Sequence, residues 1–229
     1  MMISFSVIIP CYQDEERLVQ LLEQLQKLPH RPTEIIVVDG ANSQTCRDVC
    51  TRHGVCWLAS EPCRGRQLSQ GAALAQGEAL WFLHVDVRLS VDPLAAMGQA
   101  LAQGAVGGYF RFYFDAPRAW PALILEPAIA LRSRFGVPYG DQGIFAKRDA
   151  YFAAGGHAPW PLFEEVPLVK GLRGLGHFQP LLEPIWVDSR RWQRDGWWRR
   201  TWHNRKLAIY FACGMSPAKL AEQYRARRP

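Results

Sequence analysis

Residues 79–93 read Ala-Leu-Trp-Phe-Leu-His-Val-Asp-Val-Arg-Leu-Ser-Val-Asp-Pro, and their character changes halfway along. The stretch begins as a continuous apolar run, which is typical of a strand buried on both faces of a parallel sheet. His84 and Asp86 then alternate with valines, and Pro93 begins an amphipathic helical pattern. Ligands bind beyond the carboxyl ends of strands in open α/β sheets, so His84 and Asp86 are candidate ligand contacts. A solvated turn in which Asp86 or Asp92 caps the next helix explains the stretch equally well.

Apolar runs of strand length alternate with helical patterns around this stretch. The N-terminal half contains such runs at 5–10, 33–39, 55–59 and 79–83, with helical patterns at 14–28 and 46–53. This alternation predicts an α/β fold in which a doubly wound, mostly parallel sheet carries helices on both faces. Residues 63–72 are basic and punctuated by glycine, which predicts a loop opening a helix that runs to residue 76.

The second half is less regular. Its alternating aromatic run at 106–114 predicts an antiparallel or edge strand. Helical patterns cover 93–103, 120–135, 150–155 and 217–225. The sequence also indicates a turn into a strand at 139–145 and a loop feeding a helix at 161–173. A last strand is predicted at 184–189. No internal repeat and no low-complexity linker divides the sequence.

The composition is that of a globular protein. The chain has 229 residues, a formal net charge of +6 and 48% apolar residues, enough for a large core. No apolar run approaches the roughly 20 residues of a spanning helix, and the first residues lack the basic region of a signal peptide. The six cysteines form no Cys-x-x-Cys pair, so reduced thiols are expected rather than a zinc site. We therefore expect a cytoplasmic location, with the inner face of the membrane as an alternative.

Residues 190–206 combine basic and aromatic side chains. They include seven Lys or Arg residues, four tryptophans and one acid, Asp195. The combination fits nucleic acid, an anionic membrane surface or a phosphate-bearing substrate. A solvated helix face is the plain alternative, although indole rings are seldom left in water without a partner.

Acidic residues follow three of the predicted strands. Asp14, Asp39 and Asp86 come after the first, second and fourth strands. Each alone fits a helix cap, but their recurrence at successive strand ends is typical of a nucleotide site. Arg64 and Arg66 stand beside glycines at a helix start, where they suit phosphate oxygens. The spacing matches neither a P-loop nor Gly-x-Gly-x-x-Gly.

Eight short motifs occur in order along nearly the whole chain. They are Val-Ile-Ile-Pro at 7–10, Ile-Val-Val-Asp-Gly at 36–40, Arg-Gly-Arg-Gln at 64–67, Phe-Leu-His-Val-Asp at 82–86, Gly-Gly at 107–108, Tyr-Gly-Asp-Gln-Gly-Ile-Phe at 139–145, Pro-Leu-Phe-Glu-Glu-Val at 161–166 and Ser-Arg-Arg-Trp at 189–192. Together they resemble family-2 glycosyltransferases of the GT-A fold, in particular the compact bacterial "transferase 2" subgroup. The resemblance implies one GT-A domain over 1–229, with a nucleotide-sugar-binding half (1–115) and an acceptor half (116–229) that includes the basic tryptophan-rich segment.

The resemblance also implies a donor site. Asp14 and Asp39 would contact the base and ribose of a nucleotide sugar, and Arg64 and Arg66 would line the same pocket. Asp86 would coordinate Mn²⁺ or Mg²⁺, since such cations prefer carboxylate and phosphate oxygens, and the metal would stabilise the departing diphosphate. The same motifs place Pro10, Gln67, His84, Arg191 and Trp192 at the donor, with Trp192 bordering the acceptor.

Two histidines leave their roles open. His84 stands where the family pattern has an aspartate, so it could ligate Mn²⁺, bond a ribose hydroxyl or cap the strand. The second and third interpretations are preferred. His203 is a candidate metal ligand from the C-terminal segment, although a lone histidine is more often structural.

Glu164 and Glu165 stand where the family has Glu-Asp, whose acid is the general base in inverting transfer. A carboxylate suits that role because the acceptor hydroxyl loses its proton as the new bond forms. Glu165 is the preferred base, Glu164 the second choice, and an acid pair at a helix N-terminus is the alternative. Asp141 and Gln142 would shape the acceptor site or form a structural turn.

The prediction is therefore an inverting, metal-assisted glycosyltransferase. Its donor is a nucleoside-diphosphate sugar, with UDP favoured over GDP, and its acceptor is unknown, a lipid-linked one being an open choice. Peripheral membrane contact is a hypothesis, and nucleic acid is not expected. Rival interpretations are a sugar-phosphate nucleotidyltransferase, which usually has a glycine-rich loop where this chain has Pro-Cys-Tyr-Gln-Asp-Glu at 10–15, and a non-catalytic domain binding membrane or nucleic acid.

Overall fold

The computed structural model describes residues 3–116 and 120–225. In these ranges an eight-stranded sheet is flanked by helices on both faces. The strands are β1 (Phe5–Cys11), β2 (Glu34–Asp39), β3 (Cys56–Ala59), β4 (Ala79–Phe82), β5 (Val87–Arg88), β6 (Gly107–Asp115), β7 (Phe145–Lys147) and β8 (Phe178–Asp188). The helices are α1 (Glu15–Lys27), α2 (Gln44–His53), α3 (Arg64–Leu74), α4 (Pro93–Ala102), α5 (Trp120–Phe135), α6 (Arg148–Ala153), α7 (Glu165–Leu175), α8 (Arg190–Asp195), α9 (Trp197–Ala212) and α10 (Pro217–Arg225), with a 3₁₀ turn at Gly140–Gln142.

The sheet has the strand order β3-β2-β1-β4-β7-β6-β8-β5. The first four are parallel, as predicted, and β8 is parallel to β6. Antiparallel pairing enters where β7 lies between β4 and β6, and again where β5 joins β8. The α/β fold with helices on both faces is confirmed, and the parallel pairing is concentrated in its first half.

Strand β6 lies inside the sheet, although an edge position was one of its two predicted alternatives. It is covered because β8 begins at Phe178, before the predicted start at residue 184. Pro180 and Pro184 lie within β8, and proline normally argues against an interior strand. The register between β6 and β8 shifts between these prolines, opposite Tyr109 and Arg111, which is an irregularity of the kind where proline is tolerated.

Alternate side chains of the central strand β1 enter two separate cores. Val7 and Ile9 pack with the buried leucines of α1, while Ile8 packs with Leu68 of α3 and side chains of α6 and α7. All three are fully buried. Burial on both faces explains why the strand is continuously apolar.

Residues 63–72 are helical rather than a loop. Helix α3 begins at Arg64, and its glycines serve close packing instead of a turn. A Cβ at Gly65 would lie 1.9 Å from the Ala158 carbonyl oxygen, and one at Gly71 would lie 2.5 Å from Ile8 Cγ2. The glycines therefore bring α3 close to the 158–160 backbone on one side and to the sheet on the other.

No helix in the described ranges has both the length and the apolar character that crossing a bilayer requires.

We expect Gly65→Ala to destabilise the protein by about 3 kcal/mol or more, because the new methyl group meets backbone that has little room to move. Gly98→Ala is the matched control: Gly98 is also helical, and its Cβ would meet nothing within 4 Å. The control should stabilise by up to about 1 kcal/mol through helix propensity. Urea unfolding measures both, and equal effects would contradict the packing of α3 on residues 158–160.

Candidate active site

Acidic side chains gather where the parallel strands end. Asp14 follows β1, Asp86 follows β4, and Asp188 is the last residue of β8. Burial raises the pKa of Asp14 and of Asp188, and in both cases the charge of Asp86 raises it further. Asp188 was not predicted as a site residue, although the rule that singled out Asp14 and Asp86, an acid at a strand end, also applies to it.

Two arginines partly balance this acidic group. Arg17 Nη2 donates to Asp188 Oδ2 at 2.6 Å, and Arg17 Nη1 donates to Asp14 Oδ2 at 3.4 Å. The charge of Arg191 lowers the pKa of Asp14 and Asp188, so Arg191 lies close to both. The predicted grouping of Asp14, Asp86 and Arg191 is therefore present in the structure.

Asp39 and Gln67 organise the loops beneath this group. The buried Asp39 carboxylate accepts hydrogen bonds from Ala41 N at 2.8 Å and Ser43 N at 2.7 Å. Gln67 Nε2 donates to the carbonyl oxygens of Cys11 (2.9 Å) and Val38 (2.7 Å). The Gln67 side chain is almost fully buried and joins the ends of β1 and β2, and its contact with the donor stays a prediction.

Arg64 and Arg66 point in different directions, although the prediction placed both in one pocket. Arg66 is exposed and pairs with Glu61 at the surface. Arg64 instead makes a two-bond ion pair with the fully buried Glu164, in which Nη2 donates to Oε2 at 3.1 Å. The two residues are two positions apart on α3, about 200° around the helix axis, so only Arg64 reaches the start of α7.

Glu165, the first residue of α7, is buried and lacks the pairing that Glu164 has. Its Oε2 has no hydrogen-bond partner among the described residues. Burial raises the pKa of Glu165, and the neighbouring Glu164 and Asp141 raise it further, while Arg64 opposes them. The structure thus separates two glutamates that the sequence left as alternatives: Glu164 is held by Arg64, and Glu165 is unpaired.

Asp141 and Gln142 are adjacent in the 3₁₀ turn but have different environments. Burial raises the pKa of Asp141 to about 6, with Asp86 adding to the shift and Arg132 opposing it. Asp141 Oδ1 has no partner among the described residues. Gln142 is buried, donates to the Phe110 carbonyl oxygen at 3.2 Å and accepts from Ser133 Oγ at 2.7 Å. Gln142 therefore fits the structural-turn alternative, and its place in the acceptor site stays a prediction.

His84 connects the two groups of acids. Burial, together with the charges of Arg64 and Arg191, lowers the pKa of His84 to about 3, so its imidazole is neutral near pH 7. Its Nε2 is buried and has no hydrogen-bond partner among the described residues. A Cβ at Gly140 would lie 2.9 Å from this nitrogen, so the glycine allows the turn to approach the ring. A neutral ring with an unpartnered nitrogen suits a metal or a ligand hydroxyl.

The residues present fit a divalent metal that shares its coordination with substrate. No group of three or more His, Cys, Asp or Glu side chains within the described ranges is arranged to hold a metal ion. Asp86, whose charge also acts on Asp14, Asp141 and Asp188, would hold such a cation, which leaves the remaining positions for diphosphate and water. Mg²⁺ is commonly bound in this way, by one or two carboxylates and substrate phosphates. His203 lies on α9 and belongs to no such group.

The remaining predicted donor residues are Pro10, Arg191 and Trp192. Pro10 is the second-last residue of β1. Arg191 Nη1 donates to the Tyr224 hydroxyl at 3.3 Å, which links α8 to α10. Trp192 packs edge-to-face on Phe114 with ring centroids 5.0 Å apart, beside the core. Trp192 therefore packs beside the core, and its position next to the acceptor stays a prediction.

Known structures share this fold. Glucosyl-3-phosphoglycerate synthase from Mycobacterium tuberculosis, in complex with Mn²⁺, UDP and glucosyl-3-phosphoglycerate, is 17% identical with a TM-score of 0.58, over 80% of this chain and 70% of that one. A mannosyltransferase from Pyrobaculum calidifontis, in complex with GDP-Man and Mn²⁺, is 17% identical with a TM-score of 0.61, over 80% of this chain and 55% of that one. At this identity the likeness concerns the fold, and it confirms the expected GT-A architecture.

Sequence comparison extends this result to the family. No curated protein sequence matches the chain. The profile of glycosyl transferase family 2, however, matches residues 6–159, which is more than half of the chain and includes β1, β2 and β4 with the acids that follow them. The chain belongs to glycosyl transferase family 2.

Proposed function

We propose that the protein transfers a sugar from a nucleoside-diphosphate sugar to an acceptor hydroxyl, with inversion at the anomeric carbon. The observation that carries this proposal is Glu165, a buried carboxylate whose Oε2 has no partner and whose charge interacts with Asp141. Asp141 in turn interacts with Asp86, so the proposed base and the proposed metal ligand share one site. A single displacement at C1 of the sugar requires a base on one side of that carbon and a diphosphate site on the other.

The proposed reaction is one displacement at C1 of the sugar. Glu165 accepts the proton of the acceptor hydroxyl while that oxygen forms its bond to C1. The bond from C1 to the diphosphate oxygen breaks, and the diphosphate leaves with the electron pair. Glu164 and Arg64 hold the start of α7 and so orient Glu165. A general base of this kind contributes about 10²–10⁴-fold.

The proposed donor site lies around Asp14, Asp86 and Arg191. Asp86 would hold Mn²⁺ or Mg²⁺, which would neutralise charge on the diphosphate, and His84 Nε2 would accept from a ribose hydroxyl. Arg191 adds a fixed positive charge, and the buried Asp39 shapes the loop after β2. We favour UDP over GDP as the nucleotide; the structural neighbours include one complex with UDP and one with GDP-Man, both with Mn²⁺.

We also propose that 1–229 acts as one unit with a donor half (1–115) and an acceptor half (116–229). Support comes from the sheet, in which β7 and β8 of the second half pair with β4 and β6 of the first. Asp14 and Asp86 come from the first half, and Asp141 and Glu165 from the second. A lipid-linked acceptor at the inner face of the membrane is part of the proposal, suggested by the basic tryptophan-rich residues 190–206.

Nucleotide binding tests the donor site. We expect one of UDP, GDP, CDP or ADP, with Mn²⁺ or Mg²⁺, to raise the unfolding temperature, corresponding to about 2.7 kcal/mol at roughly 100 times the dissociation constant. EDTA or Asp86→Ala should remove the part of the rise in unfolding temperature that depends on the metal. Asp48→Ala, which changes an exposed acid on α2, is the control and should keep it. If no nucleotide raises the unfolding temperature under any condition, the donor site is wrong.

Substitutions of the two adjacent glutamates should have different effects, one on kcat and the other on stability. Glu165→Gln should lower kcat by about 10²–10⁴-fold, since the proton acceptor is lost, while nucleotide-induced stabilisation remains. Glu164→Gln should instead destabilise the protein by about 3 kcal/mol, because Arg64 loses its charged partner. The assay is nucleoside diphosphate release from the donor identified above, with a lipid extract as acceptor. A stable Glu164→Gln with the larger loss of kcat would reverse the assignment.

The transfer rate should depend on pH in the neutral range. Since the pKa of Glu165 is raised, its proton-accepting form increases as pH rises, and kcat should rise with it from about pH 6 to about pH 9. An ordinary glutamate would be ionised throughout this range. Initial rates at saturating donor measure the effect, with nucleotide binding followed in parallel as the control. A flat profile would show that Glu165 does not limit the rate as a base.

A further inference from the structure

Helix α5 exposes a continuous apolar face. Its exposed large hydrophobic side chains recur at helical spacing and include Trp120, Leu123, Ile124, Leu131 and Phe135. The exposed fraction reaches 62% for Trp120 and 77% for Phe135. Arg134 is the one charged residue among the exposed positions of the helix. A 16-residue helix with this pattern normally packs its apolar face against something.

Helix α9 continues this face with tryptophan and basic residues. Trp198 and Trp202 are exposed, the latter by 68%, and so are Arg199, Arg205 and Lys206. The rings of Trp120 and Trp198 lie 5.6 Å apart, so the two helices present one contiguous surface. We call the exposed side chains of α5 and α9 the apolar–basic surface.

The charge of this surface is positive without local compensation. Helix α9 contains no acidic residue. Asp195, which precedes it, already accepts from Arg194 at 2.8 Å and from Arg200 at 3.2 Å. Glu126 of α5 accepts from Phe114 N at 3.0 Å. Both of these acids are therefore engaged within the protein, and Arg199, Arg205 and Lys206 are exposed.

We infer that the apolar–basic surface docks the protein on an anionic lipid bilayer. Exposed tryptophans and aliphatic side chains insert at the level of the headgroups, and the basic side chains contact lipid phosphates. Each helix is roughly 24 Å long, so the two lie in the plane of the interface rather than across it. A second copy of this chain is a poorer occupant, because a symmetric contact would bring the basic residues of both copies together.

The surface also adjoins the proposed acceptor side of the active site. Arg132 of α5 acts on Asp141, and Phe211 of α9 stacks on Phe163 with ring centroids 4.7 Å apart. Phe163 immediately precedes Glu164 and Glu165. Docking through α5 and α9 would thus bring the site close to a lipid-borne acceptor. This last step rests on the proposed function, whereas docking itself does not.

Flotation with vesicles tests the inference. The full chain should float with vesicles containing phosphatidylglycerol and phosphatidylcholine, and remain in the dense fraction with phosphatidylcholine alone. Arg205→Gln with Lys206→Gln should weaken binding by about 25-fold, at about fivefold for each basic residue. The control is Arg31→Gln with Lys170→Gln, which removes the same charge from exposed positions elsewhere and should change binding far less.

The apolar part is tested separately. Trp202→Ser with Phe135→Ser should reduce flotation at least tenfold and keep the unfolding temperature, since both side chains are largely exposed. Leu74→Ser, which changes an exposed leucine on α3, is the control. Nucleotide-induced stabilisation is measured on every variant, so that failure of the donor site and failure of docking are told apart.

Three results would overturn the inference. The first is no flotation of a protein that binds nucleotide. The second is flotation that depends on charge alone and is unchanged by Trp202→Ser with Phe135→Ser. The third is a dimer in solution that this double variant disperses, since a second copy would then cover the surface. Flotation without nucleotide binding would support docking and count against the proposed function only.

Discussion

The buried ion pair between Arg64 and Glu164 joins the two halves of the chain at the site. Arg64 begins α3, next to Gly65, whose missing side chain lets the helix meet the 158–160 backbone. Glu164 has no solvent exposure, so an unpaired charge there would be costly, and Arg64 compensates it with two hydrogen bonds. The start of α7 is thereby held against α3. The position of Glu165, the first residue of α7, depends on this contact.

The other buried acids have fewer hydrogen-bond and ion-pair partners than Glu164. Buried acids without such partners are what characterises the site. Asp141 and Glu165 have raised pKa values because they are buried close to other carboxylates. Unpartnered oxygens on both, and an unpartnered nitrogen on His84, are destabilising in a folded chain without ligand. Perturbed acids with free polar atoms cluster at functional sites because ligands and cations can satisfy them. The scaffold residues Gln67 and Gln142, by contrast, form two side-chain hydrogen bonds each.

The spacing of apolar residues predicts most helices and strands, because it reflects which side chains are buried. Helix α5 was predicted with its exact bounds, and the four parallel strands were predicted from apolar runs. The start of β8 was missed because its prolines are tolerated only through a register shift, which depends on the partner strand. The sequence predicts a loop at 63–72, because glycine occurs both in turns and where a helix packs closely on its neighbours. Only the three-dimensional neighbours decide between these uses.

The site was predicted in outline by strand ends and motifs, and its details required geometry. Asp14, Asp86 and Arg191 do lie together, while Arg66 pairs with Glu61 at the surface. No sequence pattern distinguishes Glu164 from Glu165, since the difference lies in which one reaches Arg64. Helix α5 was predicted as a helix, but the apolar face it exposes depends on what the rest of the fold leaves uncovered.

The position of β7 has a consequence for synthesis of the chain. The parallel unit β3-β2-β1-β4 is complete once Phe82 has been made, but β4 has no neighbour on its other side until Phe145–Lys147 follows. At about 5–20 residues per second, the ribosome leaves that edge open for roughly 3 to 13 seconds. An open, apolar strand edge is a template for pairing with other chains. The nascent protein is therefore exposed to pairing with other chains during this interval. Substitutions that slow the pairing of β7 with β4 will lower the yield of folded protein even where the final structure is unchanged.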